Sequence, residues 1–152
     1  MKRDWNKFML ESNTIEGEPR VNPKDEWAVG YVINAGLTEV KDFLYVHENL
    51  TQHLKVPWGG VFRECDVRIG STIPPDPRQI PRLMEDFCKS LPKLKSFEAH
   101  NAFEMIHPFQ DFNGRMGRLL WLSKALSEGY NFEIPFLQKY YYQTLDRWAS
   151  FQ

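Results

Sequence analysis

Apolar residues recur at three- and four-residue intervals along most of the chain, the period of helices that bury one face. Asn22-Pro23 is a cap followed by proline at the first helical position, and it opens a helix through Trp27 and Tyr31 towards Gly36. Thr38 is placed to cap a run in which Val40, Phe43, Leu44, His47, Leu50 and Leu54 keep to one face. Ile80, Leu83, Met84, Phe87, Cys88 and Leu91 mark an amphipathic helix that starts near Pro81 and is stopped by Pro92. Ser96 is placed to cap the next. Its Ala99, Phe103 and Ile106 face inward, and it delivers His107 at its C-terminal end. Arg115 to about Glu128 forms a further helix closed by Gly129, and Pro135 to about Trp148 the last.

Between Pro57 and Pro77 the period changes. After Trp58-Gly59-Gly60, residues Cys65, Val67 and Ile69 alternate with Glu64, Asp66 and Arg68, as in a small strand or hairpin. So short an alternation fits a structured loop between helices equally well. No linker or repeat divides the chain, so residues 1–152 are expected to form a single, mainly α domain.

Composition narrows the setting. A chain of 152 residues buries roughly two-thirds of its unfolded surface in one core. Lys and Arg number 19 against 20 Asp and Glu, and a formal charge of -1 gives no reason to expect nucleic acid or an anionic membrane as partner. Cys65 and Cys88 form no close-spaced metal or redox pair, which favours free thiols and a cytoplasmic protein. The first residues have no apolar stretch after their basic pair, and no uncharged run is long enough to span a bilayer.

Chemistry concentrates in residues 107 to 118, His-Pro-Phe-Gln-Asp-Phe-Asn-Gly-Arg-Met-Gly-Arg. Asn113 and Gly114 allow a turn with N–H groups pointing inward, and a helix starts just after them, where unpaired N–H groups and the dipole favour an anion. Arg115 and Arg118, three residues apart, share a helical face, and their guanidinium forks suit phosphate oxygens. Asp111 is a fit for Mg²⁺, which takes one or two carboxylates together with phosphate oxygens. His107 titrates close enough to neutrality to accept a proton from an attacking hydroxyl. Each residue has a plainer reading: the arginines as solvated charges, Asn113-Gly114 as a turn, Phe109 as a buried anchor. His107 and Asp111 could form a metal pair, but no third nitrogen or sulfur ligand is near in sequence, which disfavours zinc. His47, on an apolar stripe, reads as a satisfied core histidine, and His53 and His100 carry no stronger claim.

This stretch resembles the Fic family signature, His-Pro-Phe-x-Asp/Glu-Gly-Asn-Gly-Arg-x-x-Arg, with Phe112 where the family usually has glycine. The resemblance implies a helical Fic-type domain with a short β-hairpin flap over residues 57–77 and a catalytic helix-loop-helix over 96–128. It implies His107 as general base and Asp111 as Mg²⁺ ligand. Phe112, Asn113, Gly114 and Arg115 would lie along the α and β phosphates, and Arg118 at the γ-phosphate. The flap, through Val67 and Ile69, would hold the target segment as an added strand. A glycine replaced by phenylalanine is expected to cost energy if φ is positive there, and to reshape the anion hole.

Upstream, Ser12-Asn13-Thr14-Ile15-Glu16-Gly17 resembles the Ser/Thr-x-x-x-Glu-Gly/Asn inhibitory motif of one class of the family. It implies that residues 1–20 carry an inhibitory helix whose Glu16, with Ser12 and Gly17, pairs with Arg118 and displaces the γ-phosphate. Tyr141-Tyr142-Gln-Thr-Leu resembles the family's Tyr-Tyr-x-x-Leu segment, which implies Tyr142 beside the nucleotide base; Ala149 stands where an adenine-reading asparagine often lies. The implied activity is transfer of AMP from ATP, with Mg²⁺, to a Tyr, Thr or Ser hydroxyl of a protein. Relatives that phosphorylate, relatives that move phosphocholine, and a catalytically weak peptide-binding module are the alternatives. The target's identity and the oligomeric state, a homo-oligomer included, stay open.

Overall fold

A computed structural model describes residues 5–129. Six helices carry the fold: α1 Trp5–Ile15, α2 Pro23–Asn34, α3 Val40–Thr51, α4 Ile80–Ser90, α5 Ser96–Ile106 and α6 Asn113–Ser127. The expected helix from Pro135, with Tyr142 and Ala149, lies outside the described residues.

α6 is the central element. It packs most extensively on α5 and next on α2, while α1 reaches it from the N-terminal side. Met116, Leu119, Leu120 and Leu122 are all fully buried, because neighbours cover α6 on several sides. Phe43 of α3 stacks on Phe103 of α5 with centroids 5.5 Å apart, and Phe87 of α4 closes on both.

Capping chemistry explains several boundaries. Asn22 accepts N–H bonds from Lys24 and Asp25, while the Asp25 carboxylate takes the Asn22 N–H, so three N–H donors at the start of α2 find partners in one reciprocal cap. α6 ends at Ser127, and Gly129, two residues on, turns the chain at a φ of 80° that suits a residue without Cβ. Two expected caps differ. Thr38 lies outside α3: the Asp42 carboxylate collects its N–H and hydroxyl together with the Glu39 N–H. Ser96 is bonded by Glu128 at the far end of α6, at 2.7 and 2.8 Å, a tie across 32 residues that local sequence does not reveal.

The 57–77 hairpin is reduced to one antiparallel bridge, Ile69 with Thr72, around Gly70. No regular strand occurs among the described residues. The alternation is too short to build a ladder with only itself as partner. Leu54 also departs from the α3 stripe, lying exposed in a short 3₁₀ turn.

Candidate active site

α5 ends by turning into the left-handed region at His107, φ 50° and ψ 60°. The turn swings the imidazole off the helix while the His107 backbone N–H still bonds the Phe103 carbonyl at 3.0 Å. Nδ1 lies 3.3 Å from the Glu104 carbonyl, which can only accept, so Nδ1 carries the proton and Nε2 keeps the basic lone pair. Burial holds the His107 pKa below the ordinary imidazole value, so the ring is neutral at pH 7.

The loop to α6 is fastened from within. Phe109 is fully buried and stacks on His47 at 3.7 Å. The Asn113 amide clamps Phe109, accepting its N–H at 2.9 Å and donating to its carbonyl at 2.8 Å. The Asn113 side chain is thus committed to the loop; its backbone N–H opens α6. His47 locks the other side: Gly60 N–H donates to Nδ1 at 3.0 Å, and Nε2–H donates to the Asp111 carbonyl at 2.9 Å. Burial lowers its pKa to about 4, as expected of a satisfied core histidine.

Phe112 sits at φ 69°, the strained conformation expected from its replacement of glycine. It caps α6 by position and contributes no side-chain oxygen, so the first turn of α6 has no side-chain cap. Its ring lies 4.0 Å beneath the Arg115 guanidinium and edges onto Trp58 and His47, both at 6.3 Å. Arg115 Nε is buried and has no hydrogen-bond partner among the described residues.

Arg118 is fully buried, and α1 reaches it. Ser12 accepts from it through its hydroxyl at 2.6 Å and its carbonyl at 3.0 Å, and Glu16 Oε1 through a 2.8 Å ion pair. A Cβ built on Gly114 would collide with that same Glu16 oxygen. The Glu16 carboxylate therefore rests on the N-terminal end of α6, where the dipole and an arginine favour an anion. Gly17 follows with φ 77°, turning the chain away from the helix.

Asp111 is exposed, and its Oδ1 takes the Phe112 N–H at 2.7 Å. No group of three His, Cys, Asp or Glu side chains able to hold a metal occurs among the described residues. A lone exposed carboxylate beside an anion site fits Mg²⁺ held jointly with phosphate oxygens, and does not fit an all-protein cage.

Two residues of the site carry no motif. Glu104, one helical turn before His107, is buried with Oε2 3.8 Å from His107 Nδ1; its Oε1 has no hydrogen-bond partner among the described residues. Burial pushes its pKa up to about 8. The i, i+3 spacing was the available signal. Arg63, also buried, bonds to the backbone around His107, and nothing in the local sequence marks it.

The sequence model of the Fic/DOC family matches residues 37–123, more than half of the chain. The chain belongs to the Fic/DOC family. It is 35% identical over 112 residues to the protein adenylyltransferase Fic of Drosophila melanogaster, covering 64% of this chain and 23% of that protein. With the Aedes aegypti protein of the same description it shares 34% over 100 residues, 60% of this chain and 20% of that protein. The chain thus spans about a fifth of the length of these curated relatives. Among solved structures, a Fic family protein from Desulfovibrio desulfuricans superposes with a TM-score of 0.59 at 25% identity, covering 79% of this chain and 42% of that one. Fic-1 from C. elegans superposes with a TM-score of 0.64 at 18% identity over 93% of this chain and 55% of that one, a likeness of fold. The Fic signature thus coincides with the loop and the start of α6 described above.

Proposed function

We infer that this Fic domain transfers AMP from ATP to a hydroxyl side chain of a protein, and that Glu16 restrains it. The observation that carries this reading is the Glu16 carboxylate paired with Arg118 at the uncapped start of α6: an anion already rests where the resemblance puts nucleotide phosphate. The curated relatives described as protein adenylyltransferases support the choice of adenylyl group.

In this reading the target hydroxyl gives its proton to His107 Nε2 as its oxygen bonds to the α-phosphorus, and the bond from that phosphorus to the bridging oxygen of pyrophosphate breaks. The neutral His107 imidazole is in the correct state to act. The α6 N–H groups and Arg115 stabilise charge on the phosphate oxygens, and Arg118, once released from Glu16, clamps the far end of the chain. Asp111 would hold Mg²⁺, which when bound offsets charge on the phosphates. Ser12 keeps Arg118 oriented in either state, since its hydroxyl and carbonyl both accept from the guanidinium independently of Glu16. Residues 65–75 would dock the target backbone through Val67 and Ile69, both half-buried here.

The test uses Glu16→Gly with Mg²⁺ and each nucleoside triphosphate separately, reading the mass added to the chain itself and to lysate proteins. Transfer of AMP should rise by an order of magnitude or more over the parent, since about 1.4 kcal/mol of altered alignment is a factor of ten. Arg118→Ala in that background should reverse the gain. His107→Ala should abolish transfer with fold and nucleotide binding nearly intact; full activity in that variant would sink the mechanism, and an unchanged rate in Glu16→Gly the restraint.

A further inference from the structure

Arg63 lies where the 57–77 segment leaves its Trp58-Gly59-Gly60 turn, with only 3% of its surface exposed. A buried guanidinium normally faces a carboxylate. Here its hydrogen bonds go to backbone carbonyls: Nε–H to His107 at 2.6 Å, Nη1–H to Cys65 at 2.9 Å, and Nη2–H to Pro75 at 2.7 Å and Ile106 at 3.4 Å. Its own backbone N–H donates to the Pro108 carbonyl at 2.9 Å.

These acceptors fall into two sets. Ile106 and His107 are the last carbonyls of α5, at the negative end of its dipole, left without intrahelical partners once His107 turns left-handed. Cys65 and Pro75 stand at the two ends of the segment whose middle is pinned by the Ile69–Thr72 bridge. One rigid plane of N–H donors therefore joins both arms of that segment to the peptide group of the histidine. Lysine, a point charge on a flexible stem, cannot reach four carbonyls in that plane.

We propose that Arg63 is a positioning residue that holds His107 in its left-handed turn and ties the 65–75 segment to it, so that order imposed on the segment is transmitted to the base. This rests on the reading of His107 as base and of 65–75 as the docking segment. Segment and base then loosen or tighten together, and a target strand laid along Val67 and Ile69 stiffens the histidine it is to react with.

The test is Arg63→Lys, with Arg63→Gln as a second variant should the first fold poorly. Amide hydrogen exchange is read at His107, Ile69 and Thr72 and along α6. The three amides should exchange faster together by about tenfold, with α6 from Met116 to Leu122 unchanged. Acceleration at Ile69 and Thr72 with His107 unmoved overturns the tie, and a uniform rise across all helices reduces Arg63 to ordinary core stability. In the Glu16→Gly background the same variant should lose AMP transfer by about thirtyfold while ATP affinity stays within about threefold, because the Arg63 guanidinium is committed to backbone carbonyls. Equal loss of ATP affinity also overturns the proposal. If the Glu16→Gly parent itself transfers no nucleotide, the fault lies with the proposed function, and the exchange measurement still decides the role of Arg63.

Discussion

Phe112 shows how one residue can break a local rule and be held in place by its surroundings. A non-glycine residue at φ 69° costs about 1–2 kcal/mol. Against that, the ring is buried to 7% exposure between Trp58 and His47, which stabilises by about 1.5–3 kcal/mol, and its face under Arg115 adds about 0.5–2 kcal/mol. The ring terms exceed the strain. Phe112→Gly, although it restores the family's usual residue, should therefore lower stability by about 1–3 kcal/mol by urea denaturation. Phe112→Leu keeps apolar area but has no aromatic face. It should weaken ATP binding by several-fold in the Glu16→Gly background, whereas Phe112→Tyr should leave it level. A Phe112→Gly variant more stable than the parent would show that strain dominates.

At the scale of elements, α5 and α6 make the most extensive helix contact among the described residues, and Gly117 lets α6 sit against Glu104 and His100. A Cβ there would overlap the Glu104 carboxylate and press within 3.4 Å of His100 Cδ2. Gly117→Ala should cost about 1–3 kcal/mol by overpacking, measured as a lower urea midpoint. Combined with Glu104→Ala, which vacates the space, it should cost less than the sum of the two single changes. The helices on either side were legible because their signals are local: the Asn22-Pro23 cap, the apolar stripe of α4, and Gly129 after α6. His107 and Arg118 were legible as a motif. What stayed hidden depends on contacts remote in sequence. Glu128 holds Ser96, Asp42 supplants Thr38 as the collector of N–H groups, and the segment expected as a hairpin is held by one guanidinium on four carbonyls, which leaves no periodic trace. Its internal pairing is still testable. Ile69→Pro removes the N–H that bonds the Thr72 carbonyl at 3.0 Å, and should impair protein-target modification far more than ATP binding. Equal loss of both would make the segment purely structural.

Across the whole molecule, four buried titratable groups give the stability a predictable dependence on pH. Burial lowers His47 and His100 to about 4, so below pH 6.5 the unfolded chain takes up protons that the native rings refuse, and stability falls as the pH falls towards 4. His107, lowered by the same cause, acts in the same direction. Glu104 has the opposite sign. Its pKa is pushed up to about 8, so the native state keeps a proton that the unfolded chain loses above about 4.5, and stability declines as the pH rises from there to 8. Between 4.5 and 6.5 the histidines outnumber the single carboxyl, and the net slope is upward. From 6.5 to 8 Glu104 acts against folding, at about 1.4 kcal/mol per pH unit at most. Stability should therefore peak near pH 6.5, as read by urea midpoints at fixed ionic strength. Glu104→Gln, which cannot ionise, should remove the decline between 6.5 and 8 and leave the acid side at least as steep. Glu16→Gly should soften the same decline, because the Glu16 charge is one of the causes that raise Glu104. An alkaline decline that survives in Glu104→Gln would place its origin elsewhere, and the buried carboxyl beside His107 would then be ionised at neutral pH.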